Sequence, residues 1–233
     1  MKSNLFTYGT ILLGSALILS SCQKNTGDGK LAYQVKPANF TASIATTMSG
    51  SGLVVNVNSN SSLTWTSGKM NIAEIDFEAK KDKIETEYQL KTPFSVDLLN
   101  LSPVLGNISI PDGTYDEVEL KLSLKKSTNS DILLTLKGNY TDAAGSKTPV
   151  EFYFNDDFEI EVEAEDLVAD GTTDYLGLIN VQLNKFLTNV SSANLDQAIR
   201  TNGIIIISAT SNMDLYNTLK GNLNVFSDCD FKN

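Results

Sequence analysis

The chain has 233 residues, with 18 lysines and arginines against 28 acidic residues, a formal net charge of −10 and no histidine. Such an acidic chain has little affinity for a phosphate backbone, so nucleic acid is not an expected partner. The missing histidine excludes Ser-His-Asp and Cys-His catalytic systems, and also zinc or haem held by histidine.

Residues 1–22 have the pattern of a secretory signal. An apolar run over about 11–19 follows a lysine and ends at Leu19-Ser20-Ser21-Cys22, and the run is too short for a stable membrane span. These four residues resemble the lipobox of bacterial lipoproteins, whose signal is cut before the cysteine and whose cysteine carries lipid. The resemblance implies a signal peptide over 1–21 and membrane attachment through lipidated Cys22, which several acyl chains make durable.

The residues that follow Cys22 bear on location. Gln23 stands where an aspartate would favour retention at an inner membrane, so we expect the bacterial outer membrane. Gln23-Lys24 resembles the start of a surface-export signal of some bacterial lipoproteins, although Asn25 replaces the acid that continues that signal. Exposure at the cell surface and a periplasm-facing orientation therefore both stay open. The polar stretch up to Lys30 completes an anchor and tether over 22–30.

Length and cysteine count set the domain organisation. If Cys22 carries lipid, Cys229 has no intramolecular partner, so we expect no disulfide framework. Residues 31–233 are enough to bury a sizeable core, and we expect them to form a single β-sandwich-like domain. Two smaller β domains divided near 142–148 are the alternative.

Alternation of apolar and polar residues dominates after residue 31 and predicts half-buried strands. Over 72–80 the odd-numbered residues are apolar, which places Ile72 on the polar face. Over 117–125 the even-numbered residues are apolar. Further strands are predicted at 41–45, 53–58, 62–66, 84–90, 94–98, 132–140, 150–154, 158–165 and 175–183.

Four consecutive isoleucines follow Gly203 and leave no polar face. They predict a central strand that is covered on both sides of its sheet. Many short strands with a few late helices indicate a mainly β fold, an antiparallel β-sandwich with two short C-terminal helices.

Those two helices flank the isoleucine run. The first is predicted over about 193–200, with Ser192 or Asn194 as its N-cap. The second is predicted to start at Ser211, with Asp214 in the capping-box position, and to end at Gly221. Neither is long enough to be stable alone, so both need to pack against the sheet.

Calcium is the metal that this composition admits most readily, since it takes oxygen ligands and needs neither histidine nor cysteine. Asn155, Asp156 and Asp157 form an acidic turn, but they do not match the calcium loop of an EF-hand. We therefore predict no metal site and no cofactor. A structural calcium ion at this turn is the alternative.

The same turn opens a stretch, residues 155–166, in which seven of twelve side chains are acidic. Alternate residues of one strand stand about 6.5 to 7 Å apart, too far for neighbouring carboxylates to hold one ion without help from another strand. We interpret the stretch as the solvated face of a strand. Lysines such as Lys121 or Lys125 are predicted to lie across from it and to reduce the repulsion.

Exposed aromatic rings are what a carbohydrate-binding sandwich needs, as platforms for sugars. Alternation places Tyr153 on the outer face of its strand, and Tyr115 on the wetter face opposite the apolar residues that follow it. These two tyrosines are the candidate ligand-binding residues. Trp65 is predicted to lie in the core, because an indole ring buries a large apolar area.

Several blocks of the chain together resemble an uncharacterised family of bacterial surface lipoproteins. They are TWTSGKMNIAEIDFEAKK, IPDGTYDEVELKL, the segments 138–142 and 148–152, and GIIIISATSNMDLYNTL, and they cover most of residues 60–220. The resemblance implies a single β-rich lipoprotein domain. It carries over no activity and no catalytic residue.

The sequence is compatible with three functions. The anchor, the sandwich pattern and the missing catalytic groups favour a non-enzymatic binding or adhesion module of the cell envelope, whose partner is a glycan or a surface protein. The first alternative is a structural or polymerising subunit that resembles fimbrial proteins and pairs strands between copies. The second is a glycoside hydrolase that uses two carboxylates, for which the sequence nominates no pair.

Overall fold

The structure is a computed structural model that describes residues 28–47, 56–57, 60–82, 84–91, 93–100, 104–128, 132–170, 174–224 and 227–232. The predicted signal and Cys22 lie outside these residues, as does most of the strand predicted at 53–58. The described chain is mainly β, as the sequence predicts.

Within the described residues, seventeen strands and two short α-helices follow one another. The strands are β1 (Gly29–Ala38), β2 (Thr41–Ser43), β3 (Thr46–Thr47), β4 (Asn56–Val57), β5 (Ser62–Ile72), β6 (Glu74–Lys81), β7 (Ile84–Leu90), β8 (Phe94–Asp97), β9 (Val104–Ile110), β10 (Gly113–Leu124), β11 (Leu134–Thr141), β12 (Lys147–Phe154), β13 (Phe158–Ala169), β14 (Asp174–Gln182), β15 (Arg200–Thr201), β16 (Ile204–Ile207) and β17 (Ser227–Lys232). The helices are α1 (Ser192–Asp196) and α2 (Met213–Gly221), and single 3-10 turns lie at Lys185–Leu187 and Asn222–Asn224.

The strands form three larger sheets and one two-stranded ribbon, β3-β4. The sheet orders are β17-β14-β1-β9, then β13-β10-β6-β7, and finally β15-β16-β12-β11-β5-β2, with β8 also paired to β5. Antiparallel pairing predominates, but β1 runs parallel to β14 and β16 runs parallel to β12. The β-sandwich class is therefore confirmed, and the two parallel pairs are a feature that alternation does not predict.

Buried side chains from all three larger sheets form one apolar cluster. Trp65 lies in it, 2% exposed, as predicted. Its indole N–H donates to the carbonyl oxygen of Leu183 at 3.4 Å, and its ring lies 6.2 Å from that of Phe186. Phe186 also meets the ring of Phe152 edge-on at 4.9 Å, so this aromatic group joins β5, β12 and the chain after β14.

The predicted alternation is confirmed in β6 and β10, where Ile75, Phe77, Ala79 and the even-numbered residues 118–124 are buried. Ile72 is also buried, 1% exposed, so its placement on the polar face is wrong. The chain leaves β5 at Ile72 and enters β6 at Glu74, so a one-residue break separates the two strands and the inward positions change parity across it.

The isoleucine strand β16 is neither central nor covered on both faces. It lies next to the two-residue strand at the end of its sheet, and Ile204 and Ile206 are only half-buried, whereas Ile205 and Ile207 are buried. A run of identical side chains carries no information about which face meets the core. In this protein the pairing of β16 with β12 decides which of the isoleucines face the core.

Both helices differ from their predicted boundaries. The N-cap of α1 is Ser191, whose side chain forms a reciprocal capping box with Asn194, and Arg200 belongs to β15. The N-cap of α2 is Asn212, which makes no side-chain capping bond, so the predicted capping box of Ser211 and Asp214 is absent. The end of α2 at Gly221 agrees with the prediction.

Candidate functional site

A concave surface formed by the described residues lies beside the two helices, where the chain after α1 meets the start of α2. We call it the helical cleft. Its volume is about 630 Å³, and it is lined by Asn194, Gln197, Ala198, Ile199, Thr210, Ser211, Asn212, Met213, Asp214 and Leu215. From the sequence, this segment is predicted only to form helices that cover a sheet.

The side chain of Asn212 joins the two walls of the helical cleft. Its Oδ1 accepts from the backbone N–H of Ile199 at 2.8 Å, and its Nδ2 donates to the carbonyl oxygens of Ile199 at 3.0 Å and Ile206 at 2.7 Å. Its backbone has a φ of 50°, in the left-handed region that asparagine tolerates better than most residues. Asn212 thus acts as a backbone-like bridge, which leaves its side chain unable to cap α2.

Two hydrogen bonds to other parts of the chain hold helix α1 in place. The N–H of Ser192 donates to the carbonyl oxygen of Ala45 at 3.0 Å, and the hydroxyl of Tyr140 donates to Oδ1 of Asp196 at 2.9 Å. Burial, together with the negative charge of Asp196, raises the pKa of Tyr140 to about 12, so the phenol keeps its proton at any physiological pH. Helix α1 is therefore tied to β11, a strand inside the largest sheet.

Two large apolar side chains stand at the cleft without cover. Ile199 is 70% exposed and Met213 is 57% exposed. Gln197, Thr210 and Asp214 are exposed beside them and offer an amide, a hydroxyl and a carboxylate. The cleft therefore combines apolar contact area with hydrogen-bonding groups, the composition of a recognition surface.

The two tyrosines nominated by sequence lie elsewhere. Tyr153 is half-buried on the outer side of β12, as predicted, and its hydroxyl donates to Glu151. Tyr115 is 3% exposed and donates to the carbonyl oxygen of Pro111 at 2.6 Å, so its predicted place on the wetter face is wrong. Neither lines the helical cleft.

The error at Tyr115 has a local cause. Strands β10 and β13 are paired on both sides of Asp116 and Asp166, but these two residues form no pair, and Asp166 has a φ of 55°. The inward positions change parity there in both strands, so Tyr115 and Leu167 are buried although alternation from the other end of each strand places them outside. A paired irregularity of this kind has no signal in a pattern of period two.

The acidic turn of Asn155, Asp156 and Asp157 forms ion pairs and hydrogen bonds with other elements of the structure. Asp156 lies 2.6 Å from the ammonium of Lys220 and 3.6 Å from that of Lys126, and its bond to Lys220 holds the pKa of the Asp156 carboxyl below its usual range. Oδ1 of Asp157 accepts from the N–H of Lys126, and Asn155 exchanges bonds with the backbone of Ser127. The oxygens nominated for calcium thus contact protein donors, two of them cationic.

The acidic stretch lies on the outer face of the sheet β13-β10-β6-β7, which we call the acidic face. Lys121 stands directly opposite Glu161, and the ammonium of Lys125 lies 3.3 Å from Glu159, so the predicted positions of these lysines are confirmed. One row across the four strands is nevertheless entirely acidic: Glu163, Glu119, Glu78 and Glu87.

Among the described residues, no group of three or more acids or cysteines is arranged to hold a metal ion, and no helix is both long and apolar enough to cross a bilayer. Cys229 lies on β17 opposite Ile179. Asp214 is the one carboxylate among the described residues that line the helical cleft.

No protein-family model, no curated protein and no solved structure matches this chain.

Proposed function

We propose that this protein is a lipid-anchored, non-enzymatic binding module of the bacterial outer membrane, and that it recognises a protein partner through the helical cleft. The lipobox at Cys22 supports the anchor, and the observation that carries the proposed function is the exposure of Ile199 and Met213 in a concave, partly polar surface. Exposed apolar side chains of this size inside a concavity are more typical of a docking surface than of ordinary solvated protein.

The lining of the cleft favours a protein over a glycan. Sugars are commonly held against aromatic rings, and none of the described lining residues is aromatic. A methionine and an isoleucine suit the apolar side chains of another protein, since methionine adapts its shape to an irregular surface. Gln197 and Asp214 at the same cleft can satisfy polar groups at the edge of such a contact.

Site-directed crosslinking in intact envelopes tests this proposal. A photoreactive amino acid is placed at Ile199, and in a control protein at Val168, which is 48% exposed on β13. We expect one defined protein to crosslink from position 199 only, and the substitution Met213→Asp to reduce that crosslink at least tenfold, as the loss of a central apolar contact does.

A crosslink of equal yield from both positions, or one that Met213→Asp leaves unchanged, would contradict the proposed docking site. Crosslinking to glycan alone would assign the cleft to a carbohydrate. The protein would then still be a binding module, but its partner would be a glycan and not a protein.

The structural subunit is the second candidate, and strand β17 is the observation that favours it. Ser227–Lys232 pairs with β14 at the end of its sheet and with no other strand of the described residues, so it is a strand that copies could exchange. Strand exchange predicts oligomers that persist on dilution. Sedimentation of the purified protein from 1 to 100 µM as a single monomeric species would exclude this candidate.

A further inference from the structure

Strand β7 forms an open edge of the acidic face. It pairs with β6 along its length, and no other strand of the described residues pairs with its far side. Residues 84–89 are all exposed. An edge strand directs alternate backbone N–H and C=O groups away from its sheet, so this edge offers hydrogen bonds to an additional strand.

The two sides of this edge differ in character. On the side that continues the core face of β6, Ile84 is 69% exposed and Tyr88 is 47% exposed. On the opposite side stand Glu85 and Glu87. Glu87 lies opposite Glu78 and ends the all-acidic row. Lys80 lies opposite Glu85, but the charge of Glu78 still raises the pKa of Glu85, so repulsion between carboxylates dominates at this edge.

The negative charges of Glu85 and Glu87 favour some partners of the β7 edge over others. Two β7 strands from separate copies would bring Glu85 and Glu87 of one copy against the same residues of the other, in a chain whose net charge is −10. Like charges opposite each other destabilise a strand pair, whereas opposite charges stabilise it. Charge complementarity therefore favours a cationic strand and disfavours a second copy.

We propose that β7 takes up an extended cationic segment of another protein as an additional strand. Side chains opposite Glu85 and Glu87 would be lysine or arginine, and those opposite Ile84 and Tyr88 would be apolar. The segment thus reads apolar, basic, any residue, basic, apolar. Backbone hydrogen bonds supply most of the affinity, and the alternate side chains supply the selectivity.

Peptide binding to the full-length protein in detergent tests this inference. The probe is a fluorescent peptide, Thr-Val-Lys-Thr-Arg-Val-Thr, and its control has the same composition with the two basic residues adjacent. We expect at least tenfold weaker binding of the control, because its alternation is lost. Hydrogen exchange measured by mass spectrometry is expected to slow within 84–90 when the probe binds.

Charge variants test whether the probe binds at β7. Glu85→Gln with Glu87→Gln is expected to weaken probe binding about tenfold, since two exposed ion pairs contribute up to about a factor of ten together. Glu163→Gln with Glu165→Gln makes the same charge change at the far edge of the same sheet and is expected to alter binding less than twofold. Ile199→Asp leaves it unchanged, which separates this surface from the helical cleft.

Four results would overturn the inference. They are no binding of the probe at 1 mM, equal binding of the control peptide, equal weakening by both pairs of charge variants, and unchanged hydrogen exchange in β7. Self-association of the protein that Glu85→Lys with Glu87→Lys abolishes would assign the edge to a second copy instead.

Discussion

Replacement of Asn212 tests how the helical cleft is built. Its side chain makes three hydrogen bonds, two to the backbone of Ile199 and one to the carbonyl oxygen of Ile206, and its φ is 50°. Asn212→Gly removes the hydrogen bonds and keeps an easy left-handed backbone. Asn212→Ala removes the bonds and adds backbone strain. The difference between the two variants therefore measures the left-handed strain of alanine less the extra unfolded-state entropy of glycine.

The magnitudes follow from burial. Ile199 is 70% exposed, so water replaces its two lost bonds and each costs about 0.5 kcal/mol. Ile206 is half-buried, so its lost bond costs about 1.5 kcal/mol. Asn212→Gly is thus expected to lower the free energy of unfolding by about 2.5 kcal/mol. Asn212→Ala is expected to lower it by about 3.5 kcal/mol, because alanine in the left-handed region costs about 1 kcal/mol more.

Urea denaturation at 25 °C, followed by circular dichroism, measures these differences. Asn217→Ala is the matched control, since Asn217 is exposed on α2 and alanine is the better helix former. That variant is expected to be as stable as the wild type or up to about 0.5 kcal/mol more stable. Amide exchange at Ile199 adds a local readout, because its N–H donates to Asn212.

Two results would refute the reasoning about Asn212. Equal losses for the glycine and alanine variants would mean that the left-handed backbone gives alanine no net cost relative to glycine at this position. A loss below about 0.5 kcal/mol for alanine would mean that the three bonds contribute no net stability.

Two further predictions concern packing and pH. A Cβ at Gly138 would overlap the carbonyl oxygen of Thr64, so Gly138→Ala is expected to lower the free energy of unfolding by about 2 to 3 kcal/mol in urea. Gly221→Ala, with open space around its Cβ, is expected to change it by less than about 0.5 kcal/mol, and equal losses would contradict the packing argument. The lowered pKa of Asp156 means that its pairing with Lys220 stabilises the protein above about pH 4 and is lost as the carboxylate takes up a proton at lower pH. Asp156→Asn is therefore expected to cost up to about 1 kcal/mol in urea at pH 7 and progressively less as the pH falls below about 4, and a pH-independent difference would contradict this assignment.

The strands and their buried faces were predictable where apolar and polar residues alternate without interruption. Over 118–124, apolar residues alternate without interruption, and the face that they predict is the face that is buried. Prediction failed where two strands act together. At Tyr115 the burial of β10 depends on an irregularity shared with β13, and a single strand's own alternation carries no trace of its partner.

The helical cleft was not predictable for a related reason. Ile199 and Met213 are ordinary apolar residues in the sequence, and their exposure depends on where α1, β16 and α2 meet. Asn212 offered a weak signal, since asparagine is among the residues that favour a left-handed backbone. Its role as a bridge between Ile199 and Ile206 arises only from the folded arrangement.

By itself the sequence determined that this chain is mainly β, that most of its strands have one apolar face, and that histidine chemistry is absent. These properties depend on residue type and on spacing along one strand, which are local quantities. Among the described residues, the tertiary structure alone decided which strands pair, that two pairs are parallel, that Tyr115 is buried and that β7 is an open edge. Such features depend on contacts between residues far apart in the chain, which no local pattern records.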